Sequence, residues 1–515
     1  MSIKKWRMMR LGRKKVKSNS NYDYTSDFVI THHGTDGVTG SCIQVEIPEE
    51  GLSILLDFGF YQDSTKTVKE QFDINRRKRD IDLESVTHVI VSHSHLDHVG
   101  ALGILMLPET GFNGKIMCTE ASQQLTMLNV KDCAFVMNQQ CKMYNKANPS
   151  KQPLYPLYLE EHANELILHL QGYRYYEEVP LSPNVTMQLR PTGHLLGDAS
   201  ILITYKVDEW TTRRLLYTGD TNAFTDTPRP FTKQWDREQL DVDVLIMENT
   251  YAGRVHQKQD VVEELEKVVL EHCVRNRGVL FIPAFAIARS SQIVYYLKQV
   301  WDRNPQLQKV HLPIYFVGGL ANASHNKVFS NDYYKKHYMD EEWQNTDCFK
   351  WGNIHKLEKF TELDEKLMDN KPKIVIASSG MLTGGFSTYL AQLYLGRPNV
   401  ALQFCGYQGN GTTGRAVLDT RFKEKKSVRI QGRDYNVRCQ IPEPLTMSGH
   451  ADEVQLIKLV KSMNQNKLKH IILIHGDKEM KEAMKVKLEQ VLDMDKKTVH
   501  IPQLNNPIRV FNKRK

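Results

Sequence analysis

The chain has 515 residues, 41% of them hydrophobic and 25% charged, a balance that fits a folded enzyme and excludes a disordered or collagen-like polymer. No apolar run approaches the ~20 residues that a membrane-spanning helix needs, so no membrane is expected to be involved. The formal net charge of +8 equals the eight positive charges of Lys4, Lys5, Arg7, Arg10, Arg13, Lys14, Lys15 and Lys17, and the remainder balances at 60 basic against 60 acidic residues. Residues 1–24 therefore read as a basic tail, which lacks the apolar stretch of a secretory signal. Such a tail offers sequence-independent attraction to phosphate backbones, and reads equally well as a solvated arm.

From residue 43 to 243, short aliphatic and β-branched runs alternate with polar loops, and strands are predicted at 43–47, 53–56, 88–91, 185–189, 201–205, 215–217 and 242–247. Several of these runs deliver a reactive side chain at their C-terminal end: Asp57, His93, Asp220 and Glu248. A helical pattern over 160–171, with Leu159, Leu166, Ile167 and Leu170 on one face, interrupts them as an insertion. The rhythm then changes to strand, turn and helix, with strands predicted at 279–282, 314–317, 374–377 and 400–404 and a helix at 261–274. That is the pattern of a doubly wound parallel sheet. A last apolar run, 471–474, ends in His475 and is expected to return to the first domain. The division expected is thus a first domain over 25–252, an insert over 253–435 and the return over 436–515.

Eight cysteines are scattered without a Cys-x-x-Cys pair, which argues against a thiolate zinc site or a disulfide framework. They read as small core residues in a reducing, cytoplasmic setting.

The densest chemistry lies in His93-Ser94-His95-Leu96-Asp97-His98, where imidazole and carboxylate groups crowd one short loop after a strand. A single histidine is ordinarily satisfied by backbone hydrogen bonds, but this cluster has the ligand types that suit zinc. Two ions need about seven protein groups, more than one hexapeptide supplies. Gly193-His194 and Gly219-Asp220 stand at comparable turn positions, and their weight comes from the set.

Asp57, the 93–98 motif, His194 and Asp220, in that order, resemble the successive motifs of the metallo-β-lactamase superfamily. Downstream, Glu248-Asn249-Thr250-Tyr251, Ser378-Ser379-Gly380-Met381, Gly406-Tyr407-Gln408 with Gly411-Thr412-Thr413-Gly414-Arg415, Ser448-Gly449-His450-Ala451-Asp452 and His475-Gly476 resemble its β-CASP nucleases. That group includes the cleavage and polyadenylation factor endonuclease and RNase J. The resemblance begins at Val38-Thr39-Gly40-Ser41 and runs over nearly the whole chain after the tail. It implies an α/β fold, a metallo-β-lactamase αββα sandwich with an inserted β-CASP doubly wound parallel-sheet domain.

By motif, the resemblance implies that His93, His95 and His194 hold one zinc, that Asp97, His98 and His475 hold the other, and that Asp220 bridges them. Manganese is an alternative ion for such a mixed site. Asp97, Glu248, His450 and Asp57 are the implied catalytic residues: Asp57 orients a ligand histidine, and His450, oriented by Glu248, protonates the leaving oxygen. Ser378, Ser379, Gly380, Thr412 and Arg415 are implied contacts to substrate phosphates. A histidine at position 475 accompanies the RNA-processing members, so the expected partner is single-stranded RNA, with a homodimer left open.

The implied activity is that of a zinc-dependent ribonuclease, hydrolysing RNA phosphodiesters by metal-bound hydroxide to leave 5′-phosphate and 3′-hydroxyl ends. The sequence runs about forty residues past His475, short of the long C-terminal domain of RNase J, so endonucleolytic cutting is expected over 5′-to-3′ exonucleolytic cutting. A DNA nuclease on the same scaffold and a non-catalytic RNA-processing scaffold subunit are the alternatives. Two stretches depart from the group's pattern: Ile287-Ala288-Arg289-Ser290-Ser291-Gln292, where Gly-Arg followed by an acid is usual, and Val317-Gly318-Gly319, where an Asp is common. These departures bear on how RNA is gripped and leave the metal cage untouched.

Overall fold

The computed structural model describes residues 26–512, apart from 78–80, 237, 347, 349, 425 and 496, so the basic tail expected over 1–24 lies outside the described residues. Two seven-stranded sheets lie face to face. The first runs Ile508–Asn512, Ser26–His32, Ile43–Ile47, Leu52–Leu56, His88–Ile90, Lys115–Thr119, Leu170–Tyr173. The second runs Thr498–His500, His470–Ile474, Val244–Glu248, Thr212–Tyr217, Ser200–Lys206, Val185–Arg190, Val179–Pro180. Ile30, Val45 and Ile54 of the first pack with Met187, Ile203 and Ile246 of the second in one apolar layer.

Burial alternates along Ile43–Ile47 and Val185–Arg190, whereas Leu52–Leu56 and Val244–Glu248 are buried throughout. Continuous burial is what strands covered on both faces require. The covers are helices: Glu120–Ala147 and Glu160–His169 over the first sheet, Glu453–Ser462 and Lys478–Val491 over the second. The result is an αββα sandwich.

Two sequence expectations are corrected here. The helix predicted over 160–171 ends at His169, because Leu170 turns to extended geometry (φ −85°, ψ 116°) and Leu170–Tyr173 joins the sheet edge in parallel with Lys115–Thr119. Pairing there covers the edge of Lys115–Thr119, which one more helical turn would leave open. The other correction is the long helix Glu120–Ala147, absent from the strand-rich reading of 43–243. Thr119 caps it by accepting from the Ser122 N–H, and it buries Leu125, Asn129, Cys133, Met137 and Cys141 along one stripe.

The third sheet is wholly parallel, in the order Ile354–Leu357, Ile314–Val317, Lys373–Ala377, Val279–Pro283, Val400–Leu402. Val261–Val268 and Arg289–Arg303 cover one face, Gly385–Tyr394 and Thr413–Asp419 the other. The helix predicted over 261–274 is α-helical to Val268 and π-helical over Val269–Arg275. Beyond this sheet the chain re-enters the sandwich: His470–Ile474 pairs in parallel with Val244–Glu248, and Ile508–Asn512 pairs antiparallel with Ser26–His32. All eight cysteines are buried and free. No described helix is long and apolar enough to cross a membrane.

Candidate metal centre

Parallel neighbours end on the same edge of a sheet, and here both sheets send their parallel strands to one place. Leu52–Leu56 and His88–Ile90 lead to Asp57 and His93; Thr212–Tyr217, Val244–Glu248 and His470–Ile474 lead to Asp220, Glu248 and His475. The 93–98 segment is pinned there by its own carbonyls, since Ser41, Phe58 and Phe60 donate backbone N–H groups to Asp97, His98 and Leu96 at 2.8, 2.9 and 2.9 Å. Gly59 makes that approach feasible: a Cβ on it would stand 1.5 Å from the Asp97 carbonyl oxygen.

The expected ligands converge as two groups that share Asp220. In the first, His93 Nε2 and His194 Nε2 each lie 3.1 Å from His95 Nδ1, and 3.5 and 3.7 Å from Asp220 Oδ2. Ligand atoms held tetrahedrally at ~2.0–2.1 Å from an ion stand about 3.3 Å apart, so these spacings are those of a metal cage. In the second, His98 Nε2 lies 3.6 Å from Asp97 Oδ2 and 3.3 Å from Asp220 Oδ1, while His475 approaches the same two carboxylates at 3.5 and 3.4 Å.

His98 Nε2, His475 Nε2 and Asp220 Oδ1 are buried without a hydrogen-bond partner. Orphaned polar atoms cost about 1–3 kcal/mol each, and a divalent cation satisfies all three together, so the donor set fits a metal. Burial keeps His93 and His194 well below the usual imidazole pKa and lowers His95 to about 4, which leaves their lone pairs free for a metal. Burial also opposes a proton on His98, but Asp220, Asp57 and Asp97 outweigh it and raise that pKa well above the ordinary value. These carboxylates make the second pocket favourable for positive charge.

Asp57 sits behind the cage, fully buried, and accepts from His98 Nδ1 (2.7 Å), the Ser92 N–H and hydroxyl (2.7 and 2.8 Å) and the Tyr217 hydroxyl (2.6 Å). With Nδ1 so engaged, His98 presents Nε2 to the pocket. On the other flank, His450 Nδ1 donates to Glu248 Oε2 at 2.8 Å, and the Thr221 N–H donates to Glu248 Oε1 at 2.5 Å. His450 Nε2 faces the centre, 3.8 Å from Asp220 Oδ2. Burial disfavours the imidazolium of His450, yet Glu248 and Asp220 override it and its pKa is raised.

Two residues that the sequence reading passed over also shape the site. Asp198, in the turn after His194, accepts the backbone N–H groups of His194 and Leu195 and the Thr192 hydroxyl. Arg229, buried, donates Nη1 to the His194 carbonyl (2.7 Å) and Nη2 to Gln292 Oε1 (2.8 Å), while Arg289 Nη1 reaches the same oxygen at 3.4 Å. The departing stretch 287–292 therefore supports the back of the centre. Gly193-His194-Leu195-Leu196-Gly197-Asp198 held a signal for Asp198, a second Gly-Asp pair; nothing around Arg229 did.

The expected phosphate contacts lie elsewhere, on the inserted sheet. Ser378, Ser379 and Gly380 follow strand Lys373–Ala377, and their loop is laced to 408–414 by the Gly414 N–H to the Met381 carbonyl (2.8 Å). The Thr412 hydroxyl caps Thr413–Asp419, and Arg415 is paired with Asp419 at 2.8 Å. Ser64 reaches across from the sandwich to donate to the Asn410 carbonyl (3.2 Å).

Family models match the chain in order along its length. They are the metallo-beta-lactamase superfamily over residues 35–125, the Beta-Casp domain over 291–417 and the Zn-dependent metallo-hydrolase RNA specificity domain over 434–502. The chain belongs to the β-CASP group of the metallo-β-lactamase superfamily. This β-CASP protein is accordingly a metal-dependent hydrolase of a nuclease family, and its His and Asp clusters are groups that could hold the metal.

The β-CASP chain is 29% identical over 458 residues to an RNase J-like protein of Methanocaldococcus jannaschii, covering 87% of this chain and 92% of that one. It is 28% identical over 410 residues to the transcription termination factor FttA of Methanothermobacter thermautotrophicus, a match that covers 77% of this chain and only 59% of that factor. Integrator complex subunit 11 of Danio rerio is 26% identical over 477 residues, 90% of this chain and 71% of that one. A crystal structure of a protein of unknown function from Enterococcus faecalis V583 shares the fold, with TM-score 0.52 and 14% identity over 94% of this chain and all of that one.

Proposed function

We propose that this β-CASP protein is a two-zinc endoribonuclease acting on single-stranded RNA, with residues 25–252 and 436–515 forming the catalytic domain and 253–435 the insert that closes over substrate. The observation that carries the reading is the pair of ligand clusters sharing Asp220, with the His450–Glu248 pair on their open flank. Zinc ions bound there would activate water and neutralise the charge of the phosphodiester.

The residues then have distinct tasks. His93, His95 and His194 form one cage and Asp97, His98 and His475 the other, while Asp57 fixes the tautomer of His98. His450, held at Nδ1 by Glu248, gives a proton from Nε2 to the departing O3′, so that the products carry a 3′-hydroxyl and a 5′-phosphate. Glu248 offsets the charge of the imidazolium and keeps its ring aimed. RNA as substrate is supported by the RNA specificity domain match over 434–502, which includes both His450 and His475.

The test is cleavage of matched single-stranded RNA and DNA oligonucleotides, labelled internally and at each end, beside an Asp97→Ala, His98→Ala double variant. Internal cuts confined to RNA and lost in the variant are expected. Preference for DNA refutes the RNA assignment, end-only products refute the endonucleolytic mode, and full activity in the variant refutes the metal cage as the seat of reaction.

A further inference from the structure

Tyr251 leads from the metal centre to the surface. Its ring lies 6.0 Å from that of His450, 4.8 Å from His256, and 6.4 Å from Tyr407 in an edge-on arrangement at 80°. A backbone bridge from Tyr251 to Asp452 ties this loop to the one bearing His450, and His256 Nε2 stands 2.9 Å from the His450 carbonyl oxygen. The Arg254 guanidinium sits 5.3 Å over the Tyr407 ring and 6.0 Å over the Tyr251 ring. Arg254 is exposed and Tyr407 is 44% exposed.

Core packing alone does not explain Tyr407, because nearly half of the residue stays open to solvent. A cation backing one side of an exposed aromatic ring, beside a phosphodiester centre, is a surface on which an unpaired nucleobase stacks. The direction of the strand follows from the chemistry. A product with a 5′-phosphate requires the P–O3′ bond to break, and O3′ belongs to the nucleotide 5′ of the cut. That oxygen takes the proton from His450, so the upstream nucleotide lies on the His450 side of the phosphate, where Tyr251 and Tyr407 stand.

Resting on the ribonuclease reading above, we infer that Tyr407, backed by Arg254, stacks the nucleobase immediately 5′ of the scissile phosphate. Every base presents a π-face, so this subsite reads no sequence. It does demand an unpaired nucleotide, because a base stacked on protein has left its helix. The preference for single strands thereby acquires a residue.

The experiment uses the zinc-loaded full chain and three short RNAs of one sequence: intact, with an abasic riboside 5′ of the main cut, and with one 3′ of it. Wild type is expected to lose about tenfold or more in kcat/KM on the 5′-abasic RNA. Tyr407→Ala should show that loss already on intact RNA and little more on the 5′-abasic one. Tyr407→Phe should behave as wild type, and zinc content and hydrolysis of bis(p-nitrophenyl) phosphate should be unchanged in both variants. Equal losses for Tyr407→Ala on all three RNAs, or coupling to the 3′ position, overturn the assignment. Fluorescence anisotropy with zinc-loaded His450→Ala, with and without Tyr407→Ala, reads the same base dependence without turnover. A chain that binds these RNAs but cuts none refutes the ribonuclease reading, and the anisotropy ratio still decides the stacking; binding indifferent to the 5′ base overturns it.

Discussion

The carboxylate of Asp198 accepts the backbone N–H of His194, the residue whose ring completes the first ligand cluster. A candidate ligand histidine is thus aimed through its main chain by an acid outside the cluster. Burial raises the Asp198 pKa to about 6, against the hydrogen bonds it accepts from Thr192, Leu195 and His194. Asp198→Ala leaves those donors buried without an acceptor, so a loss of about 3 kcal/mol or more is expected in urea unfolding. Metal affinity should fall by about 10- to 100-fold, measured by competition with a chelator.

Glu248 and His450 are joined by one 2.8 Å hydrogen bond, and the proposed mechanism has them act as a unit. His450→Ala and Glu248→Gln should each lower single-turnover cleavage by about 10²- to 10⁴-fold with metal content unchanged. The double variant should be scarcely slower than His450→Ala, because groups that work together are not additive. Additive losses would show that the two residues act separately.

Gly59 carries a purely steric prediction. The Cβ of Gly59→Ala would meet the Asp97 carbonyl oxygen at 1.5 Å, so the loop or the motif must move. The expected result is a loss of more than about 3 kcal/mol of stability together with loss of bound metal. Gly37→Ala, whose Cβ would meet nothing within 4 Å, should stay within about 0.5 kcal/mol of wild type.

Acid sensitivity has identifiable sources away from the candidate metal centre, and His88 is one, with His325 and His470 shifted the same way by burial. His88 is buried in strand His88–Ile90, and burial, then Lys115, lowers its pKa to about 4. Between about pH 6.5 and 4 the unfolded chain takes up a proton that the folded chain refuses, so stability falls as pH drops through that window. The slope reaches about 1.4 kcal/mol per pH unit at most. Urea midpoints of wild type and His88→Gln near pH 7 and pH 5 should converge if this holds, the variant losing less on acidification.

Much of the candidate site was legible because several of its residues follow apolar runs. Asp57, His93, Asp220, Glu248 and His475 stand at the ends of apolar runs in the sequence, and adjacent parallel strands bring them together. Arg229 was not legible, since it acts on the main chain of His194 through a contact made only after folding, and Asp198, which acts on the same main chain, left no more than the trace of a second Gly-Asp pair. The helix Glu120–Ala147 was hidden by its polar buried positions: Ser122, Thr126 and Asn129 face inward, where an amphipathic pattern leads one to expect apolar residues. Register across Ser26–His32 and Ile508–Asn512 carried no local signal, because the two strands are pairs in space and far apart in the chain.

Strand His470–Ile474 enters the sandwich between Val244–Glu248 and Thr498–His500, and it alone delivers His475. A ribosome that has made the hexapeptide 93–98, Asp220 and the whole inserted sheet still holds a chain without one ligand of the second cluster. On the proposed ligand set, the second cluster is therefore incomplete during most of translation and closes only when the segment bearing His475 has emerged.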